Sequence, residues 1–262
     1  MKSSIALERV VAVDWSGRID ATGQRRHIWA GVWTAFPGTT GTVTLESGRT
    51  REELIAWLID LARETPRMVV GIDCCFSYPA WFLAEHHCPT VFDFWQHVAS
   101  GYGERWLARE REENAPDRRD DKRDERFWGK PHKRPAQFCG EHLHRSMRLT
   151  DMDNKITPKM SQDEPTRAAA VRGITPKSPF QIGGSGSVGT GTLRAIPHLL
   201  HLHEAGFRVW PFESSALSAA KPAPLLVEMY TRLLTGPVAK SNPTARKTYF
   251  ATRRKTDPTY AN

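Results

Sequence analysis

The sequence predicts an α/β protein: a mixed sheet, a three-strand meander followed by parallel strands, flanked by helices and carrying a polar insertion. Three observations lead there. Apolar runs at 10–14 and 68–72 are short and unbroken, the pattern of strands buried on both faces. A helix-periodic stretch lies between a β-rich segment at 42–46 and the second run, which makes it a crossover connection, right-handed by default. Outside one very polar segment, strand, turn and helix signals alternate along the chain.

Taken in order, the run at 10–14 is a strand ending in Asp14, followed by Trp15-Ser16-Gly17. Residues 25–36 alternate well enough for a second strand, and Gly23 offers the turn of a hairpin before it. Pro37-Gly38 breaks the chain, and 42–46 forms the third strand. Thr50 with Glu53 three places on has capping-box spacing, and Leu54, Ile55, Leu58, Ile59 and Ala62 then make one apolar stripe. The strand at 68–72 follows, then a helix over 79–87. Beyond the glycine-rich stretch 183–191, residues 192–204 read as a helix, and 207–213 and 225–230 as two further strands.

Between residues 104 and 134 stand 11 basic and 9 acidic residues with very few aliphatics, which cannot bury a core of their own. Residues 90–180 are therefore expected to be an insertion of short helices and mobile segments within one domain spanning 1–262. That length suits one large domain or two small ones.

Composition narrows the function classes. No apolar run approaches the ~20 residues of a membrane-spanning helix, so no membrane partner is expected. The first 13 residues hold one Lys and a short apolar run with no small-residue cleavage site, so no secretory leader is expected. Cys74, Cys75, Cys88 and Cys139 are too few for a disulfide framework, which points to reduced thiols and a cytoplasmic location. With 37 Lys+Arg against 29 Asp+Glu, the net charge of +8 favours an anionic partner, nucleic acid above all.

Three segments share a design: R-V-V-A-V-D ending at Asp14, R-M-V-V-G-I-D ending at Asp73 and R-V-W-P-F-E ending at Glu213. Each begins with Arg, runs through apolar residues and stops on a carboxylate. On parallel neighbouring strands these acids would share one sheet edge, about 4.8 Å apart per strand, where open α/β sheets bind ligands. Two carboxylates ~4 Å apart repel by roughly 4 kcal/mol at an effective dielectric of 20, so such a cluster calls for a proton, a basic neighbour or a cation. Oxygen-only donors suit Mg²⁺ or Mn²⁺. Each acid alone can equally be an Asx-turn that tidies the backbone.

Strand order and acids at the ends of the first and fourth strands resemble the ribonuclease-H-like fold. More narrowly, A-V-D-W-S-G at 12–17, G-I-D-C-C-F-S-Y-P at 71–79, F-Q-I-G-G-S-G-S-V-G-T-G-T at 180–192, V-W-P-F-E at 209–213 and V-E-M-Y-T-R-L-L-T-G at 227–236 look like a family of predicted ribonuclease-H-like nucleases, catalogued as domain of unknown function 429. The resemblance covers most of the chain outside 90–165. It implies Asp14 and Asp73 as the first two metal-binding acids, with Glu213 or Glu228 as a third. It also implies phosphodiester hydrolysis by two Mg²⁺ about 3.5 to 4 Å apart, Asp14 bridging them. Lys240 or Arg246 would neutralise phosphate charge, or stand as solvated surface cations. The family's closing helix with further acids has no counterpart in this sequence.

Two rival classes remain open. An ATPase or phosphotransferase of the actin and sugar-kinase type would set Asp14, Ser16 and Gly17 near a metal-bound nucleotide and cradle phosphates on Gly186, Ser187, Gly189 and Thr190. A tight glycine turn explains that loop equally well, since it lacks a P-loop ending. The third class is a non-catalytic nucleic-acid-binding module. Lys240, Arg246, Lys247, Arg253, Arg254 and Lys255, with Tyr249, Phe250 and Tyr260 among them, would track a nucleic-acid backbone or form a solvated helix. His132, Cys139, His142 and His144 match no standard zinc spacing and read better as surface histidines and a buried thiol. Cys74 reads as a core thiol.

Overall fold

A computed structural model describes residues 7–36, 38–108, 126–129, 178–184, 187–215, 217, 222–231, 235, 238 and 242–256. They form an α/β fold around one six-stranded mixed sheet with spatial order β3-β2-β1-β4-β6-β5. The strands are β1 (Arg9–Asp14), β2 (Trp29–Thr34), β3 (Thr42–Ser47), β4 (Met68–Ile72), β5 (Arg208–Trp210) and β6 (Leu225–Glu228). β1 to β3 form the antiparallel meander, while β1, β4, β6 and β5 run parallel to one another.

Register explains the core. Val32, Val11, Val70, Leu226 and Val209 pair successively across five strands, and all are buried. Against this face pack α2 (Arg51–Glu64), α4 (Val91–His97), α5 (Gly103–Leu107) and α6 (Gly189–Glu204), with α6 touching the other three. Thr50 caps α2 in the expected box with Glu53. Its stripe buries Leu54, Ile55 and Leu58 completely, each worth roughly 1.5–3 kcal/mol of transfer free energy. On the opposite face the meander is open, with Trp29, Val43 and Leu45 exposed.

Several expectations from the sequence need correction. β1 and β2 pair as foreseen, but α1 (Ala21–His27) stands between them in place of a tight hairpin. The Asp20 side chain accepts from the Gly23 amide at 2.5 Å and nucleates that turn. Residues 91–107 are helical and belong to the core: Val91, Phe94, Trp95, Val98 and Trp106 are buried, so the polar stretch starts later than residue 90. A π-helical turn at Val98–Tyr102 joins α4 to α5, with Gly101 at φ 111°. The helix expected from 192 begins at Gly189, and the strand expected over 207–213 keeps three residues.

α3 (Ala80–Glu85) and the loop before it supply Tyr78 and Phe82, which pack with Phe94, Phe127 and Phe180 in a buried aromatic cluster. There Trp128 and Gln181 form a parallel bridge, with the Ile182 amide donating to the Trp128 carbonyl at 2.9 Å. Finally, α7 (Pro243–Thr256) has no buried residue. Among the described residues, no helix is long and apolar enough to cross a membrane.

Candidate functional site

The carboxyl ends of β1 and β4 bring the first two acids together. Val13 pairs with Ile72, and the Asp73 amide extends the ladder by donating to the Val13 carbonyl at 3.0 Å. Asp73 therefore stands level with Asp14, one strand away, a backbone separation of about 5 Å. Asp14 shares its register row with Trp29 and is exposed, on the face away from the helices. Asp73 is half-buried, and the Thr231 hydroxyl lies 3.4 Å from its Oδ2.

The loop after Asp73 is fixed from two sides. The Cys75 amide donates to the Oγ1 of Thr192, fully buried on α6, at 3.2 Å, and the Phe76 amide donates to Glu228 Oε2 at 2.9 Å. Glu228 pairs with Ile72, so it belongs to the helix-covered face, opposite the face of Asp14. Here it tethers a loop.

Glu213 is elsewhere. After Trp210 the chain turns back, and Glu213 Oε2 accepts from the Val209 amide at 2.7 Å, with His203 Nδ1 3.5 Å away. Val209 is level with Leu226 and so with Val70, three residues before Asp73 and two strands across. That is roughly 10 Å along the strand and roughly 10 Å sideways, too far for an ion to bridge Asp73 and Glu213. Among the described residues, no group of three or more His, Cys, Asp or Glu is placed to hold a metal ion. Lys240, Gly186 and the candidate zinc residues His132, Cys139, His142 and His144 lie outside the described residues.

Beside Asp73 opens a cavity of about 560 Å³, lined by Trp15 to Asp20, Asp73, Ser187, Val188, Thr190 and Gly191. Its two walls are locked together. Trp15 Nε1 donates to the Gly191 carbonyl at 3.1 Å, and Arg194 donates to the Gly17 carbonyl at 2.5 Å. Gly17 has no room for a side chain, since a Cβ there would lie 2.9 Å from the Gly191 nitrogen. The buried Arg51 donates to the carbonyls of Ser16 at 3.2 Å and Arg18 at 2.5 Å. Three successive loop carbonyls are thus drawn toward guanidinium groups. Burial lowers the Arg51 pKa, opposed by the nearby Glu52 charge.

Of the residues expected to hold phosphate, Ser16, Gly17, Ser187 and Thr190 line this cavity. Gly189 has a packing role: its amide donates to the Gln181 carbonyl at 2.9 Å, and a Cβ there would fall 2.3 Å from the Pro179 carbonyl oxygen. The N-cap of α6 is Val188, with no side-chain cap, so the positive end of the helix dipole meets the cavity wall. Behind the wall His198 packs edge-on to Trp15, their ring centroids 5.6 Å apart. Burial pulls its pKa down to about 4 despite Glu52 at 3.8 Å, because desolvation of the imidazolium outweighs that attraction.

No protein family, curated protein or solved structure matches the chain. The site's chemistry therefore rests on its own residues. Sequence reasoning missed Arg18 and Asp20 on the rim and Arg51 and Arg194 behind it. The loop Trp15-Ser16-Gly17 was the one local signal pointing their way.

Proposed function

We propose that the protein is a divalent-cation-dependent phosphodiester hydrolase built on a ribonuclease-H-like sheet. The observation that carries this reading is the side-by-side placement of Asp14 and Asp73 at the carboxyl ends of adjacent parallel strands, with Asp73 lining a cavity walled by a helix N-terminus. The meander followed by a parallel β4 supports the fold assignment.

Two carboxylates are the donor set Mg²⁺ commonly accepts when substrate phosphate and water complete its shell. Mn²⁺ suits the same oxygens. Such an ion would supply Lewis acidity and a water of lowered pKa. The chain's own residues would do the rest. Asp14 and Asp73 would hold the cation, and the first turn of α6 with Ser16 would seat phosphate oxygens. Arg51 and Arg194 fix the loop that shapes the cavity. With Glu213 outside reach, the reading is of one cation between two acids.

Hydrolysis of bis(p-nitrophenyl) phosphate with Mn²⁺ tests it. Asp14→Asn and Asp73→Asn should each lower kcat at least 100-fold with the fold intact, and EDTA should abolish turnover. Parent-like activity in either variant, or turnover that ignores the cation, overturns the proposal.

The cavity favours a second reading. Its volume falls within the roughly 300–1,000 Å³ of small-ligand sites, and Ser16, Gly17 and the α6 N-terminus suit a nucleotide's phosphates. A nucleotide-dependent phosphotransferase predicts a Tm rise of several degrees with millimolar ATP and Mg²⁺. An unchanged Tm removes it.

A further inference from the structure

We propose that α7 is the docking surface for a polynucleotide backbone, which makes the substrate of the site above a nucleic-acid strand; this rests on the phosphodiesterase reading for its catalytic meaning. Over Pro243–Thr256 the helix carries Arg246, Lys247, Arg253, Arg254 and Lys255 and no acidic residue. Tyr249, Phe250 and Arg253 are its half-buried residues and mark the side on which it is attached. At about 100° per residue, Lys247, Arg254 and Lys255 fall on the outward side, and all three are exposed. Thr244 and Ala251 lie between them and Thr248 lies beside Lys255, all three exposed.

This face is cationic and hydroxyl-bearing, with no large apolar side chain. A membrane-surface helix needs an apolar face to bury, and the aromatic residues of α7 are turned the other way. Lys247 and Arg254 are seven residues apart, about 10 Å along the axis, which matches the rise of about three nucleotides of one strand. Threonine hydroxyls add donors to phosphate oxygens.

The helix is also tied to the catalytic edge. The Tyr249 hydroxyl donates to the Thr235 carbonyl at 2.5 Å. Thr235 donates to the Thr231 carbonyl from its amide at 2.9 Å and its hydroxyl at 3.1 Å. The Thr231 hydroxyl in turn reaches Asp73. α7 is thereby anchored to the segment that reaches Asp73, and it supplies the length of contact that a cavity alone lacks.

The test is fluorescence anisotropy of a labelled 20-nucleotide oligothymidylate with the full chain in EDTA, over a salt series. The triple variant K247Q/R254Q/K255Q should bind at least tenfold more weakly at 0.1 M salt. The slope of log K against log salt should shrink by about 2, three contacts at about 0.7 each. K247R/K255R should bind as the parent does. An unchanged affinity and slope in the triple variant overturns the inference, as does a parent chain that binds phosphatidylserine vesicles but no oligonucleotide. Hydrolysis of bis(p-nitrophenyl) phosphate, too small to span the helix, should be unaltered by the triple substitution. Oligonucleotide binding that depends on α7 without any diester hydrolysis would sink the phosphodiesterase reading and leave the docking surface standing.

Discussion

Trp15 and Gly191 are 176 residues apart in sequence, yet the indole nitrogen of one donates to the carbonyl of the other at 3.1 Å. That bond closes the cavity beside Asp73, and the packing around it leads to three predictions about the scaffold.

Gly17→Ala should destabilise the protein by about 1–3 kcal/mol, the usual cost of forcing an extra carbon into packed backbone. The new Cβ meets the Gly191 nitrogen at 2.9 Å, its Cα at 3.0 Å and the Thr190 carbonyl carbon at 3.1 Å, none of which is a flexible side-chain end. Urea unfolding followed by tryptophan fluorescence measures the loss. Gly31→Ala, whose nearest neighbour would be Leu45 at 3.7 Å, serves as a control and should not lower stability.

Thr192→Val keeps shape and removes the hydroxyl that accepts from the Cys75 amide. Losing a buried acceptor costs about 1–3 kcal/mol. Thr192→Ser should recover most of it. The same variants report on the site, because that bond holds the loop following Asp73. A Thr192→Val protein that is less stable should also raise KM for Mn²⁺, whereas equal stability of the Val and Ser variants refutes the role assigned to the hydroxyl.

Acid should weaken the fold through His198. Its folded pKa, near 4, lies below the ordinary histidine value of 6.5, so the unfolded chain binds the extra proton first. Stability is then full above pH 6.5 and falls as the pH drops toward 4, by up to about 3 kcal/mol from this group. Glu52 faces the ring and moderates the loss, while Arg51 and His201 oppose protonation. In His198→Gln the unfolding free energy should depend less on pH between 6.5 and 4. Parallel profiles for parent and variant would show that another group carries the effect.

What the sequence revealed follows from how local each determinant is. α2 and β4 were legible because a capping box and an unbroken apolar run are written in consecutive residues. The adjacency of Asp14 and Asp73 was legible because one ends β1, the other directly follows β4, and the two strands pair. α1 was hidden, since its sequence includes a glycine and three basic residues. Its support comes from Asp20 and from Gln24, which donates to the Ile19 carbonyl and accepts from the distant Arg51 amide. Glu213 misled for a related reason: its place depends on a turn that folds the chain back onto Val209, not on the strand pattern before it. Arg51 and Arg194 act on carbonyls 33 and 177 residues away, a relation no window of sequence contains.

Trp128 and Gln181 lie side by side although more than fifty residues separate them in the chain. Once two such positions are joined, the entropy of closing whatever runs between them grows only with the logarithm of its length, about 0.6 kcal/mol for each doubling. Joining Trp128 to Gln181 is therefore only weakly sensitive to the number of residues between them.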